Sequence, residues 1–254
     1  MQTTHSHHLE VHSSTLLKQL KPQIKIASIF LLVLSIAFLR LDNIFIILYQ
    51  TSLVIFLLYL SKIKMKTYLK RLSIDIPFVL FAFFLPFLSK GDDEILLSIF
   101  GLSVYKTGFY EMSAILIKVT LCVTLAIVLT ATTSNIELIY GLQKLKISPI
   151  FISILSFAIR YIDVFIDEFK RVKISMRSRG YSEKGIKALK PIAYASGAML
   201  IRGYERGERV YNSMLSRGFK GKVELENRDY KSSSFILILS ISSVFFSLLE
   251  IFVL

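Results

Sequence analysis

Apolar residues occur in five blocks along the chain, separated by short polar segments. The blocks cover residues 26–39, 44–60, 74–88, 112–131 and 235–254. A helix that spans a bilayer takes roughly 20 predominantly apolar residues. The fourth and fifth blocks reach that length, and Lys25 and Arg40 can extend the shorter first block by snorkelling. The pattern predicts an all-α, polytopic membrane protein with about five transmembrane helices.

A different pattern fills the segment between the fourth and fifth blocks. Its apolar residues recur at steps of three or four, as at Ile150, Ile154, Phe157, Phe165 and Phe169. Acids and bases lie one turn apart, and we expect the ion pairs Asp167/Arg171 and Glu205/Arg209. This spacing predicts long amphipathic helices, the last of which begins at Pro191 and ends at Arg217.

The distribution of basic residues predicts how the chain is oriented in the membrane. Of its 31 Lys and Arg residues, 19 lie in residues 140–231, and the formal net charge is +13. Basic residues mark the cytoplasmic side of membrane proteins, so we expect a multi-pass protein of the cell membrane with a cytoplasmic N-terminus. The acids Asp92, Asp93 and Glu94 then lie outside. The predicted regions are a cytoplasmic tail (1–25), transmembrane helices 1–4 (26–139), cytoplasmic helices (140–234) and a C-terminal transmembrane helix (235–254).

Composition excludes most catalytic sites. The sequence contains no phosphate-binding Gly-x-x-x-x-Gly-Lys-Ser/Thr loop, no Gly-x-Ser-x-Gly and no His-Glu-x-x-His. Its only cysteine is Cys122. The carboxylates Asp163, Asp167 and Glu168 are interspersed with bases, which favours ion pairing over acid–base catalysis. We therefore expect neither an enzyme nor a cofactor.

Metal and nucleic acid are also weak candidates as ligands. All four histidines lie near the N-terminus, at His5, His7, His8 and His12. They could contact a transition metal, but no cysteine or acid completes a rigid site, so we predict no metal centre. The basic residues are explained by topology and by anionic membrane lipid, without a nucleic acid. Lys118, the one charge in the fourth block, is expected in the helix bundle or snorkelling.

One stretch of the sequence is repeated in similar form. Residues 171–181 read RVKISMRSRGY, and residues 209–219 read RVYNSMLSRGF. Each copy ends in Arg-Gly, which is typical of a helix C-terminus. We interpret the shared Val, Ser and Met residues as a sign that both copies do more than cap a helix. Two matching helix ends suit a partner with two-fold symmetry, and we expect them to lie close together and exposed.

The repeated ends resemble the two Ala-Arg-Gly signatures of the T components of energy-coupling factor (ECF) transporters. The sequence of residues 200–221 most resembles the CbiQ type, which is found in cobalt and nickel importers. Thr132-Thr133, residues 142–145, Pro149, Arg160-Tyr161 and Asp167-Glu168 also follow that family's order. Residues 20–25 resemble its Leu-Asp-Pro-Arg-x-Lys motif, with Lys21 in place of Asp and Gln23 in place of Arg.

The resemblance implies a membrane scaffold whose two long coupling helices cross and dock on two ABC ATPase subunits. It also implies a separate, CbiM-like membrane subunit that captures substrate. The ATPase-coupling residues would be Ser178, Arg179, Gly180, Ser216, Arg217 and Gly218. The residues that support these helices would be Arg171, Met176, Arg209 and Met214. Both signature alanines are serine here, which we expect docking to tolerate.

Three alternatives to a cobalt or nickel coupling subunit remain. The chain could be the T component of an importer for a vitamin or another micronutrient. A self-sufficient secondary transporter would need polar groups along its spans, and the sequence offers little beyond Lys118. A membrane enzyme of lipid or prenyl chemistry would need an acid–base or metal constellation that the sequence lacks.

Overall fold

A computed structural model describes residues 16–39, 43–88, 95–99, 102–182, 185, 189–223, 230 and 235–253. The α-helices in these ranges are α1 (Pro22–Ala37), α2 (Ile44–Ser61), α3 (Met65–Leu72), α4 (Ile76–Leu88), α5 (Lys106–Thr132), α6 (Asn135–Lys144), α7 (Pro149–Ser178), α8 (Leu189–Ser216) and α9 (Phe235–Val253). The predicted helical membrane fold is confirmed. The N-terminal histidines and the acids at 92–94 lie outside the described residues.

A short β-hairpin was not predicted. Strands β1 (Ile95–Ile99) and β2 (Leu102–Tyr105) form an antiparallel hairpin between α4 and α5, with Ile99 opposite Leu102. Both strands are short and rich in branched apolar residues, which suits a strand as well as a helix. The sequence analysis treated this stretch as part of a loop.

The five apolar blocks correspond to α1, α2, α4, α5 and α9. Three described helices are long and apolar enough to cross a membrane, namely α2, α5 from Thr107, and α7. Within α7, residues 149–166 form the only 18-residue window with as few as two charged side chains. The first half of α7 is therefore as apolar as a membrane span. The sequence pattern instead predicts that residues 140–234 form cytoplasmic helices.

Contacts divide the chain into two compact units after Gly141. The first, the bundle unit, contains α1–α5, the hairpin, α6 up to Gly141, and α9. The second, the paired-helix unit, begins at Leu142 and contains α7, α8 and the segment that follows α8.

The core of the bundle unit lies between α1, α2, α5 and α9. Its buried side chains include Leu32, Ile36, Leu57, Leu125 and Val128. Polar side chains are buried beside them where α9 packs on α1. The hydroxyl of Ser35 is 2.8 Å from that of Ser243 and accepts a hydrogen bond from Gln50 Nε2 at 2.8 Å. Small hydroxyl residues let helices approach closely in lipid and link them by hydrogen bonds.

Two lysines link α1 to α5 by hydrogen bonds, one near each end of α1. Lys25 Nζ, near the start of α1, donates to the carbonyl of Thr132, the last residue of α5, at 3.2 Å. Lys118 Nζ, within α5, donates to the carbonyl of Ala37, the last residue of α1, at 3.3 Å. The last carbonyls of a helix lack partners within it and carry partial negative charge. Each antiparallel helix therefore supplies the cation that caps the other, which gives Lys118 a structural role.

The turn from α5 into α6 packs against the start of α1. Ser134 and Glu137 form a capping box, in which Ser134 N donates to Glu137 Oε2 at 3.0 Å and Glu137 N to Ser134 Oγ at 3.4 Å. A Cβ on Gly141 would lie 2.6 Å from Ile26 Cδ1 and 3.0 Å from the carbonyl carbon of Pro22. The glycine is needed because α6 approaches the backbone of α1 there. The motif at 20–25 thus contacts the segment from Thr132 to Gly141.

Replacing Lys25 with Met tests the cap on α5. Lys25 is 3% exposed, and the variant leaves the Thr132 carbonyl without its donor. We expect the free energy of unfolding in mild detergent to fall by about 1–3 kcal/mol. Lys21→Met is the matched control, since Lys21 is half-buried and forms no side-chain hydrogen bond in the described chain. Equal melting temperatures for the two variants would contradict this role.

Candidate coupling site

The two copies of the repeat lie at the ends of α7 and α8. Seven of the eleven residues of the first copy recur 38 positions later, as Arg171 does at Arg209. The two helices also meet at positions that differ by 38. A Cβ on Gly203 would lie 2.7 Å from Phe165 Cζ, so the missing side chain makes room for the ring. Helices related by a two-fold axis contact each other at equivalent positions on that axis. The repeat therefore reflects a local two-fold arrangement.

An ion pair lies at the same place. Glu168 accepts a hydrogen bond from Arg206 Nη2 at 3.0 Å, and these residues are also 38 positions apart. Arg202 Nε lies 3.6 Å from the other carboxylate oxygen. The Glu168 side chain is only 10% exposed, so both arginines are needed to offset its loss of hydration. We call these two pairs, Phe165/Gly203 and Glu168/Arg206, the central contact.

Both helices end in the same cap. Gly180 N donates to Arg177 O, and Tyr181 N donates to Met176 O; Gly218 and Phe219 repeat this pattern on Leu215 and Met214. The glycines have φ of +80° and +82°, where a side chain is strained. These bonds define a Schellman motif, in which an apolar residue after the glycine pairs with one at the third-last helical position.

Part of the repeat is therefore explained by capping. Met176 and Met214 occupy the third-last helical position, and Tyr181 and Phe219 follow the glycines. The hydroxyls of Ser178 and Ser216 each donate to a carbonyl four residues earlier, at 3.1 and 3.0 Å. The recurrence of Met176 and Met214 therefore follows from capping. The interpretation that both copies do more than cap a helix stays a prediction.

The two arginines are exposed and unpaired. Neither Arg179 nor Arg217 forms an ion pair or side-chain hydrogen bond within the ranges that the structure describes. Arg179 follows Glu168 by eleven positions, and Arg217 follows Arg206 by eleven. At 1.5 Å per residue, each arginine lies about 16 Å beyond the central contact.

The two tips lie on opposite sides of the central contact. The ring of Phe219, two residues after Arg217, packs edge-on against Phe157 of α7 with centroids 6.3 Å apart. Phe157 precedes Glu168 in α7, whereas Arg179 follows it. The expectation that the tips lie close together is therefore wrong, since antiparallel helices related by a two-fold axis point their ends apart.

The second tip is held by its partner helix. Ser153 Oγ, in the first turns of α7, donates to Gly221 O at 3.2 Å and accepts from Val223 N at 3.3 Å. A cavity of about 390 Å³ lies nearby, lined by apolar residues such as Phe157, Met214 and Phe219. Ser153 could not be identified from the sequence, because its acceptor and donor are backbone atoms.

The supporting residues differ in their contacts. Met176 and Met214 are half-buried. Arg209 Nη1 lies 3.9 Å from Glu205, which confirms that predicted pair. Asp167 pairs with Lys170 at 3.1 Å rather than with Arg171 as expected, because Lys170 is also one helical turn away. Arg171 instead lines a groove beside α7.

No metal site is found in the described chain. None of its His, Cys, Asp and Glu residues form a group of three or more that could hold an ion. Cys122 is a free, half-buried thiol in α5. His5, His7, His8 and His12 lie outside the described residues.

Comparison with known proteins identifies the family. The sequence profile of CbiQ, described as a cobalt transport protein, matches residues 13–228. The chain belongs to the CbiQ family. It is 28% identical over 245 residues to an uncharacterized protein of Methanocaldococcus jannaschii, covering 94% of this chain and 83% of that one.

Other relatives carry a transporter name. The energy-coupling factor transporter transmembrane protein EcfT of Bacillus subtilis is 25% identical over 225 residues, 83% of each chain. EcfT of Staphylococcus aureus is 25% identical over 221 residues, 81% of this chain and 80% of its own. The resemblance of the chain to this family is thereby confirmed.

Placing Leu at Gly203 tests the central contact. The new side chain must displace Phe165, and overpacking of this kind costs about 1–3 kcal/mol. Gly197→Leu is the matched control, because it lies in the same helix with nothing within 4 Å of its Cβ position. We expect thermal unfolding in detergent to occur at a lower temperature for Gly203→Leu than for Gly197→Leu. The reverse order would show that the glycine is not needed for packing.

Proposed function

We propose that this chain is the transmembrane coupling subunit of an ECF-type ABC importer. It would transmit movement from two cytosolic ATPase subunits to a membrane subunit that captures the substrate. The observation that carries the proposal is the pair of exposed, unpaired arginines, Arg179 and Arg217, on identical caps. A guanidinium can bind a carboxylate through two parallel hydrogen bonds, so each tip offers a defined contact to an acidic groove.

The arrangement suits a pair of similar partners. The tips are equally far from the central contact and lie on opposite sides of it, as two copies of one docking surface require. The sequence has no phosphate-binding loop of its own, so ATP hydrolysis would belong to the partners and this subunit would not be an enzyme. The names of the EcfT relatives support the same assembly.

For the substrate we propose cobalt, with nickel as the related alternative. The support is the match to the CbiQ profile, described as a cobalt transport protein, over residues 13–228. The names of the EcfT relatives specify no substrate, so a vitamin importer is the competing assignment. The metal would be cargo for the assembly and is not assigned a site in this chain.

Reversing both arginine charges tests the docking role. In Arg179→Glu/Arg217→Glu, each tip would repel an acidic partner groove, and co-purification of the ATPase subunits should fall by at least about 100-fold. Lys66→Glu is the control, since this exposed residue lies in α3, outside the paired-helix unit. ATPase retention by the double variant, with normal membrane insertion, would contradict the proposed function.

Uptake by the assembled importer tests the substrate. Cells that express this chain together with its ATPase and capture subunits should accumulate radiolabelled Co²⁺ above cells that lack this chain. The Arg179→Glu/Arg217→Glu variant should abolish the difference. Uptake of a vitamin with no transport of Co²⁺ or Ni²⁺ would reject the metal while leaving the coupling role intact.

A further inference from the structure

A basic groove lies beside the first tip. It has a volume of about 450 Å³ and is formed between the last turns of α7 and the middle of α8. Five of its lining side chains are charged: Glu168, Arg171, Arg179, Arg202 and Arg206. Four guanidinium groups face one carboxylate, and within the described part of the chain Glu168 pairs with Arg202 and Arg206. Arg171 and Arg179 have no acidic partner among the described residues.

The cavity beside the second tip differs in chemistry. This cavity, of about 390 Å³, is lined by no charged side chain, and Phe219 packs against Phe157 there. The equivalents of Arg171 and Arg179 are Arg209 and Arg217. Neither lines this cavity, and Arg209 lies 3.9 Å from Glu205. The backbone caps are the same at both tips, but the chemistry beside them differs.

We propose that this groove binds an acidic segment of the ATPase partner, and that Arg171 and Arg202 act there together with Arg179. The inference rests on the proposed function, because it takes the partner at the tips to be the ATPase. Clustered guanidinium groups favour carboxylates, with which they form paired, charge-assisted bonds. The groove is large enough for one or two acidic side chains. The first tip is therefore an electrostatic site, and the second relies on Arg217 alone beside an apolar cavity.

The equivalent residues Arg171 and Arg209 provide the decisive comparison. The full-length chain would be placed in nanodiscs of zwitterionic lipid, and binding of purified ATPase subunits would be measured by biolayer interferometry. At about 0.15 M salt, we expect Arg171→Glu to weaken binding about 10-fold and to flatten its salt dependence. We expect Arg209→Glu to change binding by less than about 2-fold, since exposed charge pairs contribute little. Arg171→Gln should show a smaller loss of the same kind, without introducing repulsion.

Three outcomes would overturn either the role of the groove or the proposed function. Equal losses for Arg171→Glu and Arg209→Glu, beside normal binding by the unmodified chain, would overturn the groove while leaving the coupling role intact. A loss for Arg171→Glu only in nanodiscs with anionic lipid would also overturn it, because the groove would then bind lipid headgroups. ATPase binding that is unchanged by Arg179→Glu/Arg217→Glu would instead overturn the proposed function itself.

Discussion

The buried carboxylate of Glu168 is the interaction on which the paired-helix unit depends. It lies between Arg206 and Arg202, next to the contact of Phe165 with Gly203. An acid so little exposed requires its cationic partners, so α7 and α8 are fixed in register there. The register in turn determines where the two tips lie. Identical caps would serve no common purpose if the helices could slide past each other.

In the bundle unit, polar side chains bind backbone carbonyls at helix ends and link neighbouring helices. Backbone carbonyls at a helix end need partners, and in a bilayer water cannot supply them. Lys25 and Lys118 satisfy carbonyls at the ends of α5 and α1, while Ser35, Ser243 and Gln50 link neighbouring helices. Polar side chains within apolar helices therefore serve packing in the described bundle. In the paired-helix unit, the arginines at the two tips are exposed, while the buried carboxylate of Glu168 is paired.

The sequence alone predicted features that depend on local pattern. Apolar blocks located most of the bundle helices, and Arg-Gly pairs located both caps, because only glycine adopts positive φ without strain. The central contact was missed, although the 38-residue offset extends to it. Equivalent positions there hold complementary rather than identical residues, Phe165 with Gly203 and Glu168 with Arg206, so comparing the two copies by identity does not reveal the contact. The acceptors of Lys25 and Lys118 were also missed, since backbone carbonyls leave no mark in a sequence.

The separation of the two tips is the most direct test of the account. Spin labels can be attached to cysteines at the exposed, equivalent positions Ser178 and Ser216, after Cys122 is replaced by alanine. Each position lies ten residues beyond the central contact, on opposite sides of it. Pulsed electron paramagnetic resonance should then give one narrow distance peak near 30 Å, from about 1.5 Å of rise per residue. A peak below about 15 Å would place both tips on one side and contradict the two-fold arrangement.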